Sequence, residues 1–158
     1  MKNIAVYPGS FDPFTNGHLD ILTRAVPFFE VLHVIVAENG SKSTLFSMQE
    51  RVDMIKDATK NEKSIIVTGF EGLVVDYAKK VKASAIIRGL RAVSDFDYEF
   101  QIATMNRRLA PEVETIFFTT RGKYFYISSS MIKDVAKHGS DISAFVTPFV
   151  EKKLKEKF

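Results

Sequence analysis

The side chains able to do chemistry in this chain fall into short groups of cations, hydroxyls and paired carboxylates. The run Tyr7-Pro8-Gly9-Ser10-Phe11-Asp12-Pro13-Phe14-Thr15-Asn16-Gly17-His18 sets a hydroxyl and an imidazole in a turn rich in Gly and Pro. A short apolar stretch precedes it, and Leu19, Leu22, Val26 and Phe29 follow at the spacing of one helix face. His18 therefore stands in the first turn of a helix, where free N–H groups and the positive end of the dipole favour an anion. Phosphate is the anion such a turn handles best. A phosphate nucleophile that is already ionised has no proton to lose, so His18 is a poor general base. Its better role is to donate a hydrogen bond to a transition state.

Arg88 and Arg91 flank Gly89 just past a buried strand, and each guanidinium offers the planar fork of donors that phosphate oxygens accept. Asp95 and Glu99, four apart on the following helix, share a face. They could pair with those arginines, receive a ribose hydroxyl or orient a hydrated magnesium ion. Lys42 adds a cation in a polar loop. Ser128, Ser129 and Ser130 open another helix, either as simple caps or as a second phosphate cradle. His33 reads as a partly buried strand histidine and His138 as one in a helix's last turn; neither has company for a zinc site. The glycines follow no Walker pattern and no Gly-x-Gly-x-x-Gly, which excludes ordinary P-loop and dinucleotide-fold readings.

Those groups need an alternating scaffold. Strands are expected at Asn3–Tyr7, Val31–Ala37, Ser64–Thr68, Ala85–Ile87 and Thr115–Phe118. The first helix ends or kinks near Pro27. Ser47-x-x-Glu50 is a capping box opening the helix that carries Val52, Ile55 and Ala58. A helix from Leu73 to Val81 is expected to pack Leu73, Tyr77 and Val81, and a longer one runs from Ser94 to Arg108. The helix opened by Ser128 stops near Gly139, and Thr147-Pro148 starts the last. This alternation predicts an α/β fold: a Rossmann-like, doubly wound, five-stranded parallel sheet with helices on both faces, in one domain over residues 1–158. Ligands then bind at the carboxyl ends of the strands, where strand order reverses. Ser10 and His18 follow the first strand, Lys42 the second, Arg88 and Arg91 the fourth, and the serines the fifth. Groups far apart in sequence converge on one edge.

Composition sets the limits. Forty-six per cent of residues are apolar, enough to fill a core, and there is no cysteine for disulfides or thiolate chemistry. The net charge of +3 is too mild to argue for nucleic acid, and no stretch approaches the length needed to span a membrane. No apolar leader follows Lys2, so a cytoplasmic location is expected. Lys152, Lys153, Lys155 and Lys157 read as a solvated face that complements a helix C-terminus.

Tyr7 to Pro13 with Thr15-x-Gly17-His18 resembles the signature of the nucleotidyltransferases related to class I aminoacyl-tRNA synthetases, and Ile127 to Ser130 resembles their second phosphate motif. The run Ile87-Arg88-Gly89-Leu90-Arg91-Ala92-Val93-Ser94-Asp95-Phe96-Asp97-Tyr98-Glu99 closely resembles the bacterial phosphopantetheine adenylyltransferases, a similarity that extends over essentially the whole chain. The resemblance implies transfer of AMP from ATP to 4'-phosphopantetheine, giving dephospho-coenzyme A and pyrophosphate by direct in-line attack, with Mg2+ helping to neutralise the triphosphate. His18 would stabilise the transition state. It also implies an ATP site of Ser10, Phe11, His18, Gly89, Leu90, Arg91, Glu99, Tyr124, Phe125, Tyr126, Ile127, Ser128, Ser129 and Ser130. Ser10, Lys42, Val74 and Arg88 would hold the pantetheine substrate. Coenzyme A as a feedback inhibitor and a homohexamer built as a dimer of trimers are implied as well.

This chain departs from that family's pattern in places. Ser10 replaces a commoner threonine, Val74 stands where Leu or Met is frequent, and Tyr124 where Trp is frequent; Thr119 to Lys123 is unusually basic. Nicotinate-mononucleotide adenylyltransferases and glycerol-phosphate cytidylyltransferases share the first motif, but Thr15 and Ile127 to Ser130 argue against both. A regulator that had lost activity should lack His18, Lys42 or Arg91, and all are present.

Overall fold

The computed structural model describes residues 3–38 and 43–158. Its centre is a parallel sheet of β1 (Ile4–Gly9), β2 (Val31–Ala37), β3 (Ile65–Phe70), β4 (Ala85–Leu90) and β5 (Glu114–Thr119), in the order β3-β2-β1-β4-β5. The helices are α1 (Asn16–Ala25), α2 (Met48–Ala58), α3 (Val74–Lys80), α4 (Val93–Leu109), α5 (Ser129–Lys137) and α6 (Pro148–Lys157). The chain builds outward from β1 to β3, returns across the sheet, and adds β4 and β5 on the other side. Strand order thus reverses between β1 and β4. Those two strands pair only at Ala5 with Ala85 and Val6 with Ile86, whereas β1 and β2 stay in register as far as Gly9 and Val36. Beyond Val6 the two central strands part, and a crevice opens at their carboxyl ends, the place a doubly wound sheet reserves for ligands.

Two apolar cores, one on each side, hold the layers together. Leu22, Met54, Ile55, Ile132, Val150 and Leu154 bring α1, α2, α5 and α6 onto one core with Ala5, Leu32, Val34 and Ile87. Val75, Tyr77 and Ala78 of α3 cover the other, with Val6, Ile35 and Ile86. Local signals start several helices as expected. Ser47 and Glu50 exchange their capping-box bonds at the head of α2, and Thr147 caps α6 ahead of Pro148. Pro27 sits in a 3-10 turn, Val26–Phe28, that closes α1.

The structure corrects several expectations. Leu73 does not pack under α3: it is the N-cap residue and 58% exposed, and Val75, Tyr77 and Ala78 are the buried face. The helix begins one residue later than its apolar spacing suggests, so Leu73 caps it while Tyr77 and Val81 pack as expected. β4 does not stop at Ile87. It continues through Arg88, Gly89 and Leu90 because β5 pairs with it as far as Thr119, so Arg88 lies within the strand and not past it. β1 likewise runs on through Pro8 and Gly9. The lysines near the C-terminus do stay solvated in the last turns of α6 as expected, and three also pair: Lys153 with Glu156, Lys155 with Glu151, and Lys157 with Glu50 of α2.

Candidate active site

The crevice is a cavity of about 940 Å³ lined by residues from β1, α1, β4, α4 and the start of α5. Its floor is the head of α1. Thr15 is the N-cap; its Oγ1 accepts the His18 N–H at 3.3 Å, while the Thr15 N–H donates to His18 Nδ1 at 3.1 Å. This is a capping box with histidine in the third helical position. Because Nδ1 accepts, the ring's proton sits on Nε2. Phe14 stacks on the imidazole at 5.6 Å between centroids and Phe11 meets it edge-on at 5.1 Å. Burial, with the nearby Arg91 charge, pushes the His18 pKa down to about 4. The imidazole is therefore neutral at pH 7 and fixed as an N–H donor.

The arginines of the β4 end stand opposite. Arg88 forms a bidentate fork with Glu99 of α4, at 2.6 and 2.7 Å. Burial works against its charge, but Glu99 outweighs that and raises the Arg88 pKa. Asp95 accepts the backbone N–H groups of Arg91 and Ala92 and lies 3.5 Å from the Arg91 guanidinium. Of the roles open to these carboxylates, arginine pairing is the one the structure makes. Gly89 lets α1 approach β4: a Cβ there would come within 2.5 Å of Ile21 Cδ1.

At the head of α5, Ser128 Oγ caps the Met131 N–H at 3.1 Å and Ser129 Oγ donates to the Pro13 carbonyl at 2.8 Å. Those two hydroxyls hold the helix start in place. The backbone N–H groups of Ser129 and Ser130, in the first two helical positions, point out of it. The cavity thus gathers two helix N-termini, an imidazole N–H and two arginines. Such an arrangement binds an extended polyphosphate and stabilises charge that builds up on phosphorus.

Residues 6–135 match the model of the cytidylyltransferase-like family. The chain is 53% identical over 155 residues to a phosphopantetheine adenylyltransferase of Caldanaerobacter subterraneus subsp. tengcongensis, an alignment covering 98% of this chain and 97% of the relative. The chain belongs to the phosphopantetheine adenylyltransferase family. A second member, from Syntrophus aciditrophicus, is 49% identical over 158 residues, covering 100% of this chain and 96% of the relative. Solved structures extend the likeness of fold. A putative nicotinate-nucleotide adenylyltransferase from Vibrio parahaemolyticus superposes with a TM-score of 0.73 at 17% identity, over 98% of this chain and 99% of that one. A bifunctional NMN adenylyltransferase/ADP ribose pyrophosphatase from Francisella tularensis gives 0.74 at 15% identity, over 99% of this chain and 49% of that one. As a phosphopantetheine adenylyltransferase family member, the chain is a nucleotidyltransferase.

The cavity brings together most of the residues that the sequence assigns to this family's site. Ser10, Phe11, His18, Val74, Arg88, Gly89, Arg91, Glu99, Tyr124 and Ile127 to Ser130 all line it. Leu90, Phe125 and Tyr126 do not: Leu90 spends its carbonyl on the Thr120 N–H at 3.1 Å, and the Tyr126 side chain is 79% exposed. Lys42 lies outside the described residues. The basic segment is largely paired, Arg121 with Asp20 of α1 at 3.1 Å, while Lys123 lies 4.7 Å from the centre of the Tyr124 ring. His33 bonds the Tyr77 hydroxyl at 3.0 Å, as a structural strand histidine should.

Sequence reasoning missed three charged residues packed at or beside this cavity. Arg51 of α2 is fully buried; it donates to the carbonyls of Phe46, Ser47 and Ser10. Lys133 of α5 and Asp12 line the cavity as an ion pair at 2.8 Å. The spacing Arg51 to Ser47 is the only local signal, and it does not reveal burial. Asp12 was visible only as part of a Pro-rich turn.

Proposed function

We propose that this chain transfers the adenylyl group of ATP to 4'-phosphopantetheine, forming dephospho-coenzyme A and releasing pyrophosphate, a step of coenzyme A biosynthesis. A phosphate oxygen of phosphopantetheine attacks the α-phosphorus in line, and the bond from that phosphorus to the β-phosphate bridging oxygen breaks. No proton has to be taken from the nucleophile. The observation that carries this reading is His18 at the cavity wall, locked by Thr15 so that the ring proton sits on Nε2. That proton meets the charge that develops on the α-phosphate, and Arg91 and the α5 N-terminus take the remaining phosphate oxygens. Arg88, held in place by its bidentate pairing with Glu99, suits the phosphopantetheine end. Val74 at the cavity wall leaves room beside its arm.

Magnesium fits this site as part of the nucleotide and not as an ion held by side chains. The cavity carboxylates Asp12, Glu38, Asp95 and Glu99 are engaged by protein donors, Glu38 by Arg51 at 3.4 Å, and among the described residues no group of three His, Cys, Asp or Glu is placed to hold a metal. The ion would arrive on the ATP triphosphate and withdraw charge from it.

Coenzyme A shares the pantetheine arm and would compete for the same cavity, the basis for feedback inhibition. The assembly we propose is a homohexamer of two trimers; self-association is supported by α4, where Val93, Phe96, Phe100 and Met105 are exposed and no residue is buried. Light scattering should give a mass of six chains. No described helix is long and apolar enough to cross a membrane, and a cytoplasmic location suits an enzyme that draws on ATP.

The test is pyrophosphate release with ATP, magnesium and 4'-phosphopantetheine, with product followed by mass spectrometry. Nicotinate mononucleotide with ATP and glycerol 3-phosphate with CTP run in parallel. Product with phosphopantetheine alone, falling about 10² to 10³-fold in His18→Ala, supports the reading. Turnover only with another acceptor overturns the substrate, and ATP binding without any turnover would mark a regulator.

A further inference from the structure

The turn between β1 and α1 is held from three directions. Arg51 of α2 donates to the Ser10 carbonyl at 2.9 Å, and Ser129 of α5 donates to the Pro13 carbonyl at 2.8 Å. Between them, Asp12 Oδ1 accepts the Phe46 N–H at 2.9 Å, and Oδ2 accepts both the Leu45 N–H at 2.9 Å and Lys133 Nζ at 2.8 Å. Leu45 and Phe46 end the connection from β2 to α2, and Lys133 lies one turn into α5. Parts of the site from separate crossovers of the sheet therefore meet at one carboxylate, which is only 5% exposed.

Its charge makes the arrangement informative. A carboxylate at the edge of a cavity built for polyphosphate repels the ligand, so substrate binding gives no reason for it. Nor does base catalysis, since the attacking phosphate has no proton to give up. Each oxygen is already directed at a protein donor. What an anion provides here, and an amide or a hydroxyl does not, is simultaneous acceptance from two backbone N–H groups and an ammonium.

We propose that Asp12 is a positioning residue for adenylyl transfer. It sets the spacing between the head of α1, the head of α5 and the end of the β2–α2 connection, and it acts through Leu45, Phe46 and Lys133 without touching substrate. The inference rests on the adenylyl-transfer reading above. Misplacing a reactant by about 1 Å costs about 10²-fold in rate, and loosening this joint lets His18 and the α5 N–H groups shift relative to one another.

The experiment compares the full chain with Asp12→Asn, Asp12→Glu, Lys133→Met and the Asp12→Asn/Lys133→Met double variant. Steady-state rates with ATP and phosphopantetheine are measured beside amide hydrogen exchange. Asn keeps the volume but turns an NH2 toward either the Phe46 N–H or the Leu45 N–H and Lys133 together. The expected result is a fall in kcat of about 10²-fold, with both KM values and the magnesium requirement little changed. Exchange should quicken in 43–46 and 129–133 and not in the sheet. Asp12→Glu, which keeps the charge, should recover part of kcat and keeps the test open should Asp12→Asn fold poorly. The double variant should lose little beyond the worse single one. Near-normal kcat in Asp12→Asn overturns the proposal, as does a loss confined to KM for ATP or to magnesium affinity, which would make Asp12 a ligand group. Fully multiplying losses overturn it too, by showing that Asp12 and Lys133 act separately. If the unsubstituted chain makes no product, the functional reading fails, and the exchange pattern still reports whether Asp12 joins these segments.

Discussion

The Thr15 N–H donates to His18 Nδ1 at 3.1 Å, and that bond decides which ring nitrogen carries the proton. The same pair forms the capping box of α1, so the helix start and the fixed imidazole tautomer are one arrangement. A histidine elsewhere in the first turn would keep the dipole but lose this lock.

The depressed His18 pKa has a consequence for stability. The folded-state value of about 4 lies below the ordinary 6.5, so the unfolded chain takes up a proton first as pH falls. The stabilising contribution is complete above about pH 6.5 and drains away as pH falls toward about 4. Urea unfolding at about pH 7.5 and 4.5 should show a loss on acidification that His18→Gln reduces. Equal losses in both proteins would mean that His18 titrates normally.

Gly89 and Ile21 form a second testable pair. Gly89→Ala drives a Cβ against Ile21 Cδ1 and should cost about 1–3 kcal/mol by overpacking. Ile21→Val alone should cost about 1 kcal/mol. Together they should cost less than the sum, because Val lacks the clashing methyl; chemical denaturation of the four proteins measures it.

Arg88 and Glu99 are mostly shielded from water. Glu99→Ala leaves Arg88 without its partner and should destabilise by about 2 kcal/mol, below the 3–5 kcal/mol typical of a fully buried pair because some water reaches this one. Freed of Glu99, Arg88 should also hold phosphopantetheine differently, seen as a changed KM for that substrate; a rise in the ATP KM as well would mark the ATP contact that the resemblance implies for Glu99.

Arg51 should prove the least replaceable residue outside the cavity. Its side chain is 0% exposed and serves three carbonyls. Arg51→Met should cost about 3–5 kcal/mol in unfolding free energy. Arg51→Lys should recover only part, since an ammonium cannot reproduce the fork. Full recovery would show that charge alone matters.

Much of this molecule was legible in the order of residues. The apolar runs of β2 and β4, the Ser47-x-x-Glu50 capping box and Thr147-Pro148 are signals spread over a few neighbouring residues, and the backbone answers them directly. Leu73 shows the limit: spacing alone cannot tell a helix's first packed residue from its cap. So does β4, whose end depends on how far β5 accompanies it.

By itself the sequence determined the alternation of strands and helices, and with it the edge at which Ser10, His18, Arg88, Arg91 and the serines would gather. Tertiary structure alone decided where β1 and β4 part, which carboxylates the arginines consume, and how Asp12 joins Phe46 and Lys133. Those contacts span 34 and 121 residues. Local chain chemistry is blind to them, because each forms only once the crossovers have packed against both faces of the sheet.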